Sequence, residues 1–128
     1  MIGLTAHNQH LDADDMVLLG SPGLGFEIGK ATDLNLPPDH VWASTAQNDS
    51  IRNVNDPESY NDPTNQAMDI LGRDPADPRF GGRVFTSDPG APGTGISLGS
   101  DEVHSQYWEL RNESLRNVGK IIAGQPAS

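Results

Sequence analysis

Ser21 is the first residue along the chain whose type and setting suggest chemistry. It stands in "DDMVLLGSPGLG", Asp14 to Gly25, where an apolar run enters a glycine-rich turn. A nucleophile elbow reads G-x-S-x-G, and the N–H of the residue after the serine helps to hold an oxyanion. Here Gly20 directly precedes Ser21, one position too close, and Pro22 follows it. Proline has no backbone N–H to donate. The residues therefore predict a turn serine, not a nucleophile. The same glycines approach two phosphate-binding patterns and miss both. A P-loop needs four residues between its first glycine and G-K-[ST]. Gly25 and Gly29 are separated by three, and Ala31 stands where a hydroxyl residue belongs. In G-x-G-x-x-G terms, Gly29 arrives one residue late after Gly23 and Gly25. The acidic segments "DADDMV" and "NVNDPE" lack the glycine at which a calcium loop turns. His7, His10 and His40 show no metal-ligand spacing and read as surface residues. No cofactor and no metal site is expected.

The elements that must position any site are few. "DDMVLLG" is a short continuous apolar run, as expected of a strand buried on both faces. "HVWASTA", His40 to Ala46, and "GRVFTS", Gly82 to Ser87, are two further strand candidates. Asn-, Asp-, Pro- and Gly-rich stretches separate them, where turn chemistry dominates. "MIGLTAHNQHL" reads as the end of a helix, with Ile2 and Leu4 as its apolar residues. In "NESLRNVGKIIAG", Leu115, Val118, Ile121 and Ile122 recur at helical spacing. Asn112 or Ser114 can cap its start, and Gly124 sits where a C-terminal glycine belongs. Strands joined by long crossovers and followed by a packed helix predict a parallel α/β sheet. Three strands make a poor parallel sheet, because both faces need cover and both edges stay open.

Bulk properties narrow the partners. The 128 residues carry 18 acidic and 8 basic side chains, a formal charge of -10. Phosphate-backbone binding needs clustered Lys and Arg, so nucleic acid is not an expected partner. An anionic membrane surface is disfavoured for the same reason. No apolar run approaches the ~20 residues of a membrane span. The N-terminus has no basic segment followed by a long apolar one, so a cytoplasmic location is expected. There is no cysteine, which removes disulfides, thiolate ligands and a cysteine nucleophile. Leu, Ile, Val and Phe make up only about a fifth of the chain. With the self-repulsion of the net charge, this predicts a thin core.

Five stretches in order carry a resemblance: "DDMVLLGSPGLG", "VWASTAQNDSI", "DPRFGGRVF", "HSQYW" and "SLRNVGKIIAG". Together they resemble the C-terminal half of an actinobacterial-type α/β-hydrolase family of undefined substrate, over nearly the whole chain. In that family the nucleophile lies in a G-H-S-Y-G-S-like elbow upstream of the strand seen here as "DDMVLLG". This chain has no such elbow. The resemblance implies an α/β fold: a partial α/β-hydrolase-like parallel sheet of about three strands plus a C-terminal helix. Residues 1–128 would form the C-terminal part of a single domain whose N-terminal half is missing.

α/β-hydrolases carry their triad in the chain order Ser, Asp/Glu, His. By that order Asp49, after "HVWASTA", is the candidate acid, and His104, in the loop beyond "GRVFTS", the candidate base. Asp49 would hold the imidazole in one tautomer, and His104 would move the proton of an incoming serine. Taken alone, Asp49 in "QNDS" reads as a turn former and His104 as a solvent-facing loop residue, and Asp33 and Asp101 remain rival acids. Tyr107 and Trp108 read as packing the start of the following helix, with an acyl- or ring-binding wall as the alternative. The implied parent activity is hydrolysis of an ester, thioester or amide through an acyl-enzyme. Without nucleophile and oxyanion donors the chain alone should be inactive, taking a small acyl substrate only if complemented. The alternative is a non-catalytic binding or assembly fragment that self-associates through its open strand edge.

Overall fold

The computed structural model describes residues 2–53, 71–92 and 102–128. Strand β1 (Met16–Leu19), strand β2 (Val41–Ser44) and strand β3 (Arg83–Val84) form one parallel sheet in the order β1-β2-β3. β1 and β2 run in register from Met16 opposite Val41 to Leu19 opposite Ser44. β2 pairs with β3 through Trp42 opposite Arg83 and Ala43 opposite Val84. All four residues of β2 are buried, as a central parallel strand covered on both faces requires.

Period-two alternation divides the sheet into two packed faces. Met16, Leu18, Val41 and Ala43 point to one, where helix α1 (Ile2–Asn8), Ile28 and Leu34 of the 3-10 turn Ala31–Leu34 cover them. Val17, Leu19 and Trp42 point to the other, where they meet Phe85 and helix α3 (Glu113–Ile122) through Val118 and Ile121. A third cluster, Ala46, Val103 and Tyr107, closes the carboxyl end of the sheet beside Leu19. It includes the start of a short helix, α2 (Val103–Gln106).

Three details depart from the sequence pattern. In α1 the buried residues are Gly3 and Ala6, whereas Ile2 is 57% exposed. A Cβ at Gly3 would stand 2.7 Å from Leu24 Cβ, so the helix docks along its smallest residues. The third strand is shorter than "GRVFTS" suggests. Phe85 N–H still reaches Ala43 O at 3.0 Å, but Thr86 N–H donates to Ser128 O at 3.0 Å. Thr86 N–H points away from β2, so Ser128 caps the outer side of this segment. In α3, Ile122 is 81% exposed, and the inward stripe is Ser114, Asn117, Val118 and Ile121.

α3 begins where its sequence predicts. Asn112 caps it, its side chain accepting from Ser114 N–H at 2.9 Å. Gly124 follows its end with φ 67°, and Gln125 N–H donates back to Lys120 O at 2.8 Å. The buried Asn117 amide donates to Thr86 O at 3.0 Å and Ser128 O at 3.1 Å. It joins the helix, the segment that follows the third strand and Ser128. Asn117→Ala is therefore expected to lower stability by about 1–3 kcal/mol, because those acceptors lose their buried donor. Urea unfolding measures this, and an unchanged midpoint would refute the joining role.

Asp77 caps the 3-10 turn Pro78–Phe80, accepting from Arg79 N–H at 2.8 Å and from the Arg79 guanidinium at 2.6 Å. The hydrogen bond from the Arg79 side chain holds the Asp77 carboxyl below its usual range, against an opposing effect of burial. A depressed folded value means stability present above the unfolded value and lost as pH falls through the folded one. Asp77→Asn should flatten the acid limb of a melting-temperature profile by a few tenths of a kcal/mol, as expected for an ion pair near the surface. An acid limb identical to the parent's would contradict it.

Candidate active site

The carboxyl ends of β1 and β2 meet the loop after β3 in a small polar cluster. Beyond β2 the chain turns at Ala46, whose carbonyl accepts from Asp49 N–H at 3.1 Å. Asn48 ties this turn to the loop after β3: its N–H reaches Pro89 O at 2.9 Å and its amide reaches Gly90 O at 2.8 Å. Gly90 lies at φ 74°, and a Cβ there would strike the Val103 methyl groups at 2.5 Å. Only glycine lets α2 dock this closely.

Asp49 is 1% exposed. Its Oδ1 accepts from Ile51 N–H at 3.0 Å, an Asx-type turn. Its Oδ2 lies 3.0 Å from His104 Nδ1 and accepts from the Tyr107 hydroxyl at 2.7 Å. An ionised carboxylate only accepts, so this network assigns the His104 proton to Nδ1 and leaves Nε2 as the acceptor nitrogen. The His104 side chain is 48% exposed. The pair therefore has a buried carboxylate end and a half-exposed imidazole end. His104 and Tyr107 are three residues apart at α2, so one helical turn aims both at Asp49. Their rings meet edge to face, with centroids 6.3 Å apart.

Gly20 forms the floor. It directly follows β1 with φ 54°, and its N–H donates to Ser44 O at 2.9 Å. A Cβ at this position would stand 2.8 Å from Asp49 Oδ2 and 2.9 Å from His104 Nδ1. From below, α3 braces α2. Ser114 Oγ donates to Tyr107 O at 2.6 Å, and the Asn112 amide donates to Gln106 O at 3.0 Å.

The structure thus brings Asp49 and His104 together. The rival Asp33 lies elsewhere, its Oδ2 accepting from Gly29 and Lys30 N–H at 3.0 and 3.1 Å. The other rival, Asp101, lies outside the described residues. Ser21 closes its own turn, its hydroxyl 3.2 Å from Gly23 O. Ser44 and Ser87 bond to each other at 2.6 Å. His7 Nδ1 lies 2.8 Å from Asp33 O, and His40 Nδ1 lies 3.2 Å from Asp15 Oδ1. Among the described residues no group of three or more His, Asp or Glu side chains comes together as a metal site. Also among them, no helix is long and apolar enough to cross a membrane.

Sequence reasoning missed two contributors. Tyr107, read as helix packing, binds Asp49; its spacing of three from His104 was the available signal. Gly20, read as part of a turn, makes room for both partners. Trp108 is 64% exposed. A cleft of about 440 Å³ lies beyond the ends of β2 and β3, lined by residues including Thr45, Gln47, Thr86 and Ser87. Neither Asp49 nor His104 lines it.

Residues 1–59 match a protein-family model described as alpha/beta hydrolase. That span holds β1, β2, Gly20 and Asp49, and stops short of His104. No curated protein and no solved structure matches the chain. Over residues 1–59 the chain therefore carries the sequence pattern of an alpha/beta hydrolase, on a partial α/β fold with a three-stranded parallel sheet whose central strand is wholly buried.

Proposed function

We propose that Asp49 and His104 are the acid and base of a serine hydrolase acting on an ester, thioester or amide, with the nucleophile contributed from outside this chain. One observation carries the reading: a wholly buried carboxylate 3.0 Å from Nδ1 of a half-exposed imidazole, on consecutive strand-end loops of a parallel sheet. Catalytic groups of open α/β sheets gather at that end.

In this reading His104 Nε2 takes the proton of the serine hydroxyl as its oxygen attacks the acyl carbon. The imidazolium, stabilised by Asp49, then gives that proton to the leaving group as the acyl–oxygen, acyl–sulfur or acyl–nitrogen bond breaks. Water enters by the same exchange and releases the acid. The chain by itself holds the proton-transfer half of this machinery and should be inactive. Oxyanion donors come from the residue after the nucleophile and from an early loop, and losing even one costs ~10²–10³ in rate.

The test compares hydrolysis of p-nitrophenyl esters by two proteins. One is the 128-residue chain; the other is a chain extended by any upstream in-frame segment that encodes a serine elbow. The first should show no turnover sensitive to His104→Ala. The second should turn over and lose ~10³-fold or more with that substitution. Turnover of the extended protein that survives His104→Ala would refute the assignment.

A second reading has its own support. Among the described residues β1 is an outer strand of the sheet, and Leu4 and Phe26 are exposed. An open strand edge recruits another strand, so the chain would act as an assembly fragment pairing through β1. Sedimentation equilibrium should then show a concentration-dependent oligomer, and a monomer at every concentration would exclude it.

A further inference from the structure

Tyr107 is 2% exposed, and its hydroxyl sits between two groups. Ala46 N–H lies 2.8 Å from the phenol oxygen and Asp49 Oδ2 lies 2.7 Å from it. The amide can only donate, so it supplies its hydrogen to the phenol oxygen. The phenol has one proton of its own, and that proton must go to Asp49. The direction of the chain of bonds is thereby settled: backbone to phenol, phenol to carboxylate.

The same carboxylate oxygen faces His104 Nδ1 at 3.0 Å. Ile51 N–H holds only the other oxygen, at 3.0 Å. A carboxylate anchored at Oδ1 alone can still turn about its Cβ–Cγ bond. Anchored at both oxygens it cannot, and the lone pair left on Oδ2 points at the imidazole. The phenol is the donor that contacts the shared oxygen.

We propose that Tyr107 is a positioning residue of this site, whose hydroxyl fixes the Asp49 oxygen that orients His104 and so sets the imidazole tautomer. The proposal rests on the acid–base reading given above. It adds to that reading a third side chain, placed by α2 and braced through the Ser114 hydroxyl on its carbonyl at 2.6 Å.

The test is nitrogen-15 NMR of the full chain labelled at histidine, with the imidazole neutral. In the parent, His104 should be in the Nδ1–H form with a downfield, hydrogen-bonded proton. Tyr107→Phe keeps the ring and its packing and removes only the hydroxyl. It should lower the Nδ1–H fraction by roughly half or more, while the Trp42 indole N–H, bonded to Asp15 at 3.1 Å, stays in place. An unchanged tautomer in the folded variant overturns the proposal and leaves the acid–base reading standing. A parent protein without the Nδ1–H form overturns both. Should Tyr107→Phe fail to fold, 3-fluorotyrosine replaces tyrosine in a Tyr60→Phe background. The fluorinated phenol is a stronger donor of nearly the same volume. It should shift the His104 Nδ1 proton resonance, and an unmoved resonance overturns the proposal.

Discussion

Asp49→Ala is expected to lower stability by about 2–4 kcal/mol and to separate fold from site. The carboxylate is 1% exposed and receives the Tyr107 hydroxyl and the Ile51 N–H, at 2.7 and 3.0 Å. Alanine leaves the hydroxyl buried without this acceptor and frees the Ile51 amide, at about 1–3 kcal/mol for each unsatisfied group. The His104 bond contributes less, because its ring is 48% exposed and water can replace the carboxylate. Small domains have roughly 5–15 kcal/mol in total, and a thin core places this chain low in that range. The urea midpoint should fall by about 1–2 M, given slopes of ~1–3 kcal/mol/M. Asp49→Asn should cost about 1 kcal/mol, since its carbonyl still accepts one of the bonds. Its amide N–H would face His104 Nδ1 and drive the imidazole proton to Nε2. A midpoint for Asp49→Ala equal to the parent's would mean that the carboxylate is not the hub of the cluster.

Gly20→Ala is expected to break the Asp49–His104 bond while leaving the sheet intact. The left-handed backbone at φ 54° costs a non-glycine residue about 1 kcal/mol. The larger effect is steric. The new methyl would stand 2.8 Å from Asp49 Oδ2 and 2.9 Å from two atoms of the His104 ring, and one partner must yield. Asp49 is buried and held by bonds at both oxygens. His104 is half exposed on a four-residue helix, so His104 swings toward solvent. Stability should fall by only about 1–2 kcal/mol. In a complete hydrolase, loss of the oriented imidazole should cost ~10³–10⁴ in kcat. The His104 Nδ1 proton resonance reports the outcome: its disappearance, with the Ile51 amide unmoved, is the expected result. A retained resonance would show that the floor has room for a methyl group.

Much of the scaffold is legible in the sequence because its causes are local. "MVLL" and "VWAS" are continuous apolar runs, and buried parallel strands require nothing else of their neighbours in the chain. Asn112 or Ser114 and, at the other end, Gly124 announce the ends of α3, because caps satisfy backbone groups within one turn; the structure uses Asn112. The order of Asp49 and His104 after their strands follows from the resemblance and needs no coordinates. What the sequence pattern misjudged was direction. Ile2, Leu4 and Ile122 are apolar yet exposed, and Gly3, Ser114 and Asn117 are buried. Hydropathy ranks side chains by type. Close approach of helices and sheets selects by volume and by available partners.

The site itself was decided by tertiary structure. His104 and Tyr107 reach Asp49 across 55 and 58 residues, and Gly20 comes to it from a different strand. No periodicity of 2 or 3.6 residues encodes such distances. A sequence states which residues can donate, accept or make room. Which carboxylate oxygen meets which ring nitrogen is settled only when three strand ends are held at one edge of a packed sheet.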